Sequence, residues 1–329
     1  MKDKSKKIIA LLAPIIIILL SVFVIIALQS PNRRVAKEFD GIVCWGDSLT
    51  EGTKGDGVTY PKTIQGMIRG RKFVVANCGV GAENAPTIVC RSGGMKFVIT
   101  EDVTIPEGTE PVDISISAED GHPVNPLRRY PGNEWEVTIT DKSGTAIPGI
   151  LRVEQEAPEA AEFHYTFRRN EPGTSGTVAA GTAIHLKLYD TYKNYENYYP
   201  VIFIGQNGGW DSPEDLIYLQ KQILSKYGNG TDYLIVGLHT GTREDRKDVE
   251  EALEKEYGDR FLNLREYMST EGLKKAGIEP TDEDKSYMEN GMTPPSLLSD
   301  GLHFNSTGYR VLGEAILDRI EDNLEKKEK

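Results

Sequence analysis

Five short, nearly unbroken apolar runs alternate with helical patterns along this chain, and that alternation limits the fold more than any other feature. The runs are GIVCWG (41–46), KFVVAN (72–77), YYPVIFIG (198–205), DYLIVGLH (232–239) and RFLNL (260–264). A strand apolar on both faces has to be covered on both faces, which a parallel sheet sandwiched between helices provides. The intervening segments read as those helices. YPKTIQGMIRG (60–70) ends at Gly70. SPEDLIYLQKQILSKYG (212–228) has Ser212 as cap, Pro213 at the first position, early acids and Gly228 as stop. TREDRKDVEEALEKEYG (242–258) carries an apolar seam on a charged helix, and NSTGYRVLGEAILDRIEDNLEKK (305–327) closes the chain.

Between Asn77 and Val201 the pattern breaks. A crossover takes a few tens of residues, and this stretch is more than a hundred residues long. Its period is two, not 3.6. WEVTIT puts Trp135, Val137 and Ile139 on one face. FHYTF does so with Phe163, Tyr165 and Phe167, and AIHLKL with Ile184, Leu186 and Leu188. Turn signals such as EDGHPVNP, YPGNE, DKSG and NEPGTSG lie between them. Residues 92–195 therefore read as an all-β module inserted into an α/β domain made of residues 41–91 and 196–329.

The first thirty residues are different again. A basic MKDKSKK precedes IIALLAPIIIILLSVFVIIAL (8–28), an uncharged run about long enough to span a bilayer. No small-x-small cleavage site follows, and Pro31 sits where cleavage would be awkward, so residues 1–30 read as a cytoplasmic tail and retained transmembrane anchor. Residues 31–40 read as a linker. Four lysines before the span outnumber Arg33, Arg34 and Lys37 after it, which favours an inside N-terminus and a body outside the cell membrane. The whole chain carries −12; residues 1–30 contribute +3 (four Lys, one Asp), which leaves −15 for the rest. So acidic a body is a poor partner for nucleic acid. Cys44, Cys78 and Cys90 read as buried free thiols, with a Cys78–Cys90 disulfide as the alternative in an exported protein.

A parallel sheet presents its ligands at the carboxyl ends of the strands. Three strand ends are unusual: Gly46-Asp47-Ser48, Asn77-Cys78-Gly79-Val80-Gly81 and Gly205-Gln206-Asn207-Gly208. A fourth element, SDGLHFN, places Asp300 and His303 three apart ahead of the last helix. Together they meet the needs of acyl transfer. Ser48 is the candidate nucleophile and His303 the base that takes its proton. Asp300 is placed to hold the second imidazole nitrogen. The N–H groups of Ser48 and Gly79 and the side-chain amide of Asn207 are the candidate oxyanion donors. Asp47 reads as a turn-organising residue.

These blocks (GDSLTEG with a following YP, NCGVGAE, GQN and DGLHFN) resemble the SGNH, or GDSL-type, serine hydrolases. The resemblance covers residues 41–90 and 198–325. One departure is Gly208, where the family often has Asp. The resemblance implies Ser48 as nucleophile, Gly79 and Asn207 as oxyanion donors, and His303 as base backed by Asp300. It also implies a flavodoxin-like three-layer α/β/α domain, here with an all-β insertion after the second strand and an N-terminal transmembrane helix.

The expected activity is hydrolysis of a small acyl ester, such as acetyl on an extracellular or cell-envelope carbohydrate, without cofactor or metal. Alternatives are an O-acetyltransferase, a lipase or lysophospholipase, or a non-catalytic wall-binding protein. Trp210 is a candidate sugar-stacking residue or a wall of the cleft. The tyrosine-rich YDTYKNYENYY (189–199) reads as packing between modules. His239 ends the fourth strand. His122, His164 and His185 lie in the period-two region, with no metal-ligand spacing and no phosphate loop anywhere.

Overall fold

A computed structural model of the chain describes residues 33–68, 72–124, 127–128, 132–155, 162–187, 195–228 and 230–327. Fourteen strands run in chain order among them. They are β1 (Gly41–Gly46), β2 (Val74–Gly79), β3 (Phe97–Ile99), β4 (Val103–Ile105), β5 (Val112–Ile114), β6 (Ile116–Ala118) and β7 (Glu134–Thr140), then β8 (Ala146–Gln155), β9 (Phe163–Arg169), β10 (Gly176–Val178), β11 (Ala183–Leu186), β12 (Tyr198–Phe203), β13 (Leu234–Val236) and β14 (Phe261–Leu262).

Two large sheets share these strands. A five-stranded sheet has the order β14-β13-β12-β1-β2, with every neighbouring pair parallel. A seven-stranded sheet has the order β5-β9-β8-β7-β11-β3-β6, and its pairs are antiparallel. β4 and β10 form a separate antiparallel ribbon.

β1 is buried along its whole length, and its side chains divide between two cores. Ile42 and Cys44 pack beneath the helices Tyr60–Met67 and Ser306–Lys326. Val43 and Trp45 face the helices Ala85–Arg91, Pro213–Leu224 and Arg243–Tyr257. The second core does not stop at those helices. It runs on through Phe97, Trp135, Val137, Ile139, Leu151, Tyr165, Phe167 and Ile184, the inward faces of the antiparallel sheet. β7 shows the alternation that produces this, with Trp135, Val137 and Ile139 buried and Glu134, Glu136 and Thr140 exposed.

The expected fold class is corrected by this arrangement. The described residues do not form a flavodoxin-like three-layer α/β/α domain, and they hold no transmembrane helix. They form a mixed α/β fold whose larger sheet is antiparallel, and that sheet shares one continuous hydrophobic core with a face of the parallel sheet. The physical reason lies in burial: the inner faces of β7, β8 and β9 need a partner surface, and the outer sides of the helices over β1 supply it. Among the described residues no helix is long and apolar enough to cross a membrane. The apolar run 8–28 and residues 189–194 of the tyrosine-rich hinge lie outside the described residues, as does Leu188.

Strand register brings the unusual loops to one edge. Gly46, the last residue of β1, pairs with Gly79 of β2 and with Phe203 of β12. The segments after these three strands, and His239 after β13, therefore leave the sheet side by side.

Candidate active site

Ser48 is the first residue of a single-turn helix, Ser48–Glu51, that starts at the end of β1. Asp47 is its N-cap, and Asp47 Oδ1 accepts the Leu49 N–H at 2.9 Å. This turn exposes the edge of an otherwise buried strand end: Ser48 retains 8 % of its surface. In the first helical turn a backbone N–H has no intrahelical acceptor, so the Ser48 amide is free to serve a ligand.

The partner loop is built just before the helix Ser306–Lys326. Asn305 caps that helix, accepting from Thr307 N and Gly308 N, while its amide donates to Ser296 O and Leu298 O. Ser299 N donates to His303 O at 2.8 Å, and Leu298 bridges Phe304, so the loop is closed at its neck. Gly301, at φ 77°, makes the turn inside it. Asp300 Oδ1 accepts the backbone N–H groups of Leu302 and His303 at 3.2 and 2.7 Å. His303 Nδ1 lies 2.9 Å from Asp300 Oδ2, and His303 Nε2 lies 3.0 Å from Ser48 Oγ. An ionised carboxylate only accepts, so Nδ1 carries the proton and Nε2 is left to accept from the serine hydroxyl. Partial burial works to raise the Asp300 carboxyl, but the bonds it accepts from the His303 amide, the His303 ring and the Leu302 amide outweigh that and hold it at about 2. The arrangement sets a hydroxyl, an imidazole and a carboxylate in one hydrogen-bonded line, the geometry that a nucleophile, its base and an orienting group require.

The two further expected donors are placed beside this line with their hydrogen bonds already assigned. The Gly79 N–H donates to Asn77 Oδ1 at 2.9 Å. The Asn207 amide donates through Nδ2 to Glu83 O at 3.0 Å, and an amide nitrogen carries a second hydrogen. The backbone closest to the nucleophile comes slightly later: a Cβ on Gly81 would lie 3.9 Å from Ser48 Cβ. Glu83 N reaches back to Val80 O, and within that turn Ala82 holds φ 61°, a left-handed conformation rare for a residue with a side chain. Gly81 and Ala82 are the central residues of that turn, and Gly81 lies beside Ser48. Spacing alone pointed to Gly79; a strained non-glycine is not legible in sequence.

Trp210 is half-buried, and its indole N–H donates to Gly205 O at 2.9 Å. The ring braces the loop that carries Asn207. Gln206 ties the same loop to the end of β13, donating to Thr240 Oγ1 at 2.6 Å and accepting from His239 N.

Beneath the site lie several buried ionisable groups. Asp47 is 1 % exposed; desolvation pushes its carboxyl up to about 7 against the bond from Leu49. Glu83 and Arg91 form an ion pair at 2.6 Å with both side chains fully buried. His239 is fully buried against Phe304 and receives a Thr293 hydroxyl on its carbonyl. Burial drives its imidazole down to about 3, with a nearby Leu302 carbonyl opposing, so it stays neutral. It packs against Phe304, the neighbour of His303, and the Ser48 hydroxyl is bonded to His303.

Elsewhere, His122 joins the two sheets' layers, pairing with Asp215 at 2.8 Å and stacking on Tyr218. His164 faces Asp113 on the antiparallel sheet. Cys44, Cys78 and Cys90 are free and buried. Among the described residues no group of three or more His, Cys, Asp or Glu side chains is arranged to hold a metal ion. Compared with protein families, curated proteins and solved structures, the chain matches none.

Proposed function

We propose that the protein is a serine esterase that cleaves small acyl esters, of the kind its SGNH-like motifs imply, through an acyl-enzyme on Ser48. One observation carries the reading: Ser48 Oγ, His303 and Asp300 are joined in a hydrogen-bonded line at 3.0 and 2.9 Å. Ser48 Oγ attacks the ester carbonyl while His303 Nε2 takes the hydroxyl proton. Negative charge then gathers on the carbonyl oxygen, where the Ser48 N–H, the second hydrogen of Asn207 Nδ2 and the amides of Gly81 and Ala82 offer donors. The tetrahedral intermediate collapses, the C–O bond breaks, and the alcohol leaves with the proton held by His303. Water repeats the sequence on the acyl-enzyme and returns Ser48. A carbohydrate is the proposed alcohol, as the SGNH-like motifs suggest.

The test is turnover of p-nitrophenyl acetate by the full chain beside Ser48→Ala, with mass-spectrometric detection of a fluorophosphonate adduct on Ser48. The reading expects a loss of roughly 10⁴–10⁶-fold in kcat for the variant and a single adduct at Ser48 in the wild type. Equal rates for the two proteins, with no adduct, would overturn it.

A further inference from the structure

One ion pair connects the three strand-end loops that converge on Ser48. Arg91, the last residue of the helix Ala85–Arg91, is fully buried. Its Nε donates to Glu83 Oε2 at 2.6 Å, and its Nη2 donates to the carbonyl of Gly46 at 3.0 Å. Gly46 ends β1, two residues before Ser48, and the same carbonyl accepts the Val80 N–H that begins the Val80–Glu83 turn. Glu83 ends that turn, and its own carbonyl accepts Asn207 Nδ2 at 3.0 Å. Ala85 N then binds Gly208 O, so the loop after β12 is held at two points. The guanidinium plane also lies 5.5 Å from the Trp45 ring, which leaves it little room to move.

Stability is a poor reason for such a pair. Desolvating two charges is costly, and well-packed apolar residues of similar volume hold a core together as well or better. What an apolar pair lacks is direction. A planar guanidinium with forked donors fixes two acceptors at set angles, and here the acceptors belong to the nucleophile's strand and to the turn that holds Asn207. A displacement of about 1 Å in such a constellation is enough to cost on the order of 100-fold in rate.

We infer that Arg91 and Glu83 are positioning residues for the proposed reaction, setting the Asn207 amide at its working distance from Ser48. The inference rests on the esterase reading for its kinetic consequence and on geometry alone for its structural one. Arg91→Lys keeps the charge but loses the fork. Arg91→Met removes both, and Glu83→Gln keeps the shape of its side chain.

Each variant is measured in the wild-type and Asn207→Ala backgrounds, using the full chain, for kcat and KM on p-nitrophenyl acetate. Amide hydrogen exchange is followed in peptides covering 46–50, 80–84 and 205–209, with β7–β8 as reference. Arg91→Met is expected to lower kcat about 10- to 100-fold with KM little changed, Arg91→Lys to recover part of the loss, and both to add less than about threefold once Asn207 is alanine. Exchange should quicken in the three loops and not in β7–β8. Equal kcat losses in both backgrounds, or loops that exchange as in the wild type, would overturn the inference. If Arg91→Met does not fold, Arg91→Lys and Glu83→Gln carry the same comparison. A wild type no faster than Ser48→Ala would sink the esterase reading, while the exchange pattern would still decide whether the pair positions the loops.

Discussion

Gly79 and Glu51 are in backbone contact: a Cβ on Gly79 would lie 2.0 Å from the Glu51 amide nitrogen and 2.5 Å from the Thr50 carbonyl carbon. The end of β2 is thereby pressed against the one-turn helix that carries Ser48. Glycine at this position is a steric requirement, whatever its N–H does. Gly79→Ala should displace Ser48 from His303 and lower kcat about 100-fold, with a lower unfolding midpoint. Asn77→Ala removes the acceptor of the Gly79 N–H without adding bulk and should cost less than about tenfold. A Gly79→Ala protein as active as the wild type would contradict this close approach.

Asp300 orients His303 through Nδ1 and stays ionised down to about pH 2. Asp300→Asn preserves shape but offers Nδ1 a donor or a weak acceptor, which favours the wrong tautomer. Turnover should fall by roughly 10³–10⁴-fold with KM nearly constant. Because Asp300 titrates so low, the acid limb of the wild-type pH–rate profile should not extend to it. A loss of less than about tenfold in the variant would remove Asp300 from the orienting role.

The left-handed Ala82 sets a different test. Glycine adopts that conformation freely, and a β-branched residue scarcely at all. Ala82→Gly should keep kcat within about threefold and leave stability within ~1 kcal/mol. Ala82→Val should lose at least ~1 kcal/mol of stability and most of its turnover, because the turn that runs beside Ser48 would have to change its conformation. Thermal unfolding and kinetics on the two variants check both halves.

Asp47 and His239 should shape stability against pH with opposite signs. The Asp47 carboxyl is raised from 3.8 to about 7, so the folded state holds its proton longer than the unfolded chain does. Its contribution is fully present below about pH 4 and is lost as pH rises through 7. His239 is lowered from 6.5 to about 3, so its contribution is present above pH 6.5 and is lost as pH falls toward 3. Unfolding midpoints measured from pH 4 to 8 should show Asp47→Asn gaining on the wild type as pH rises, and His239→Gln gaining as pH falls below 6.5. Parallel curves for wild type and variants would show that these groups are not held as their burial requires.

Much of the site was legible because its signals are local. Asp300 and His303 are three residues apart before a recognisable helix, and the apolar runs of β1, β2 and β12 announce where Ser48, Gly79 and Asn207 must emerge. The Glu83–Arg91 pair was not legible: an acid after a glycine turn and a basic residue at a helix end look solvated until two sheets close over them. The second core was missed for a similar reason. Period two in β7 and β9 states which side chains turn inward, but not that their partners are helices belonging to the parallel sheet. Residues 264–276 form a helix whose middle, Met268–Gly272, is a π turn that shifts the apolar period, and Asp282–Glu289 is only two turns long.

The carboxylate of Glu321 receives the backbone N–H groups of Arg34 and Val35. Glu321 lies on the helix that begins at Ser306, three residues after His303, and its position along that helix is roughly 22 Å from the first turn. Arg34 and Val35, among the first described residues, are therefore fastened several turns along that helix from the end that adjoins His303.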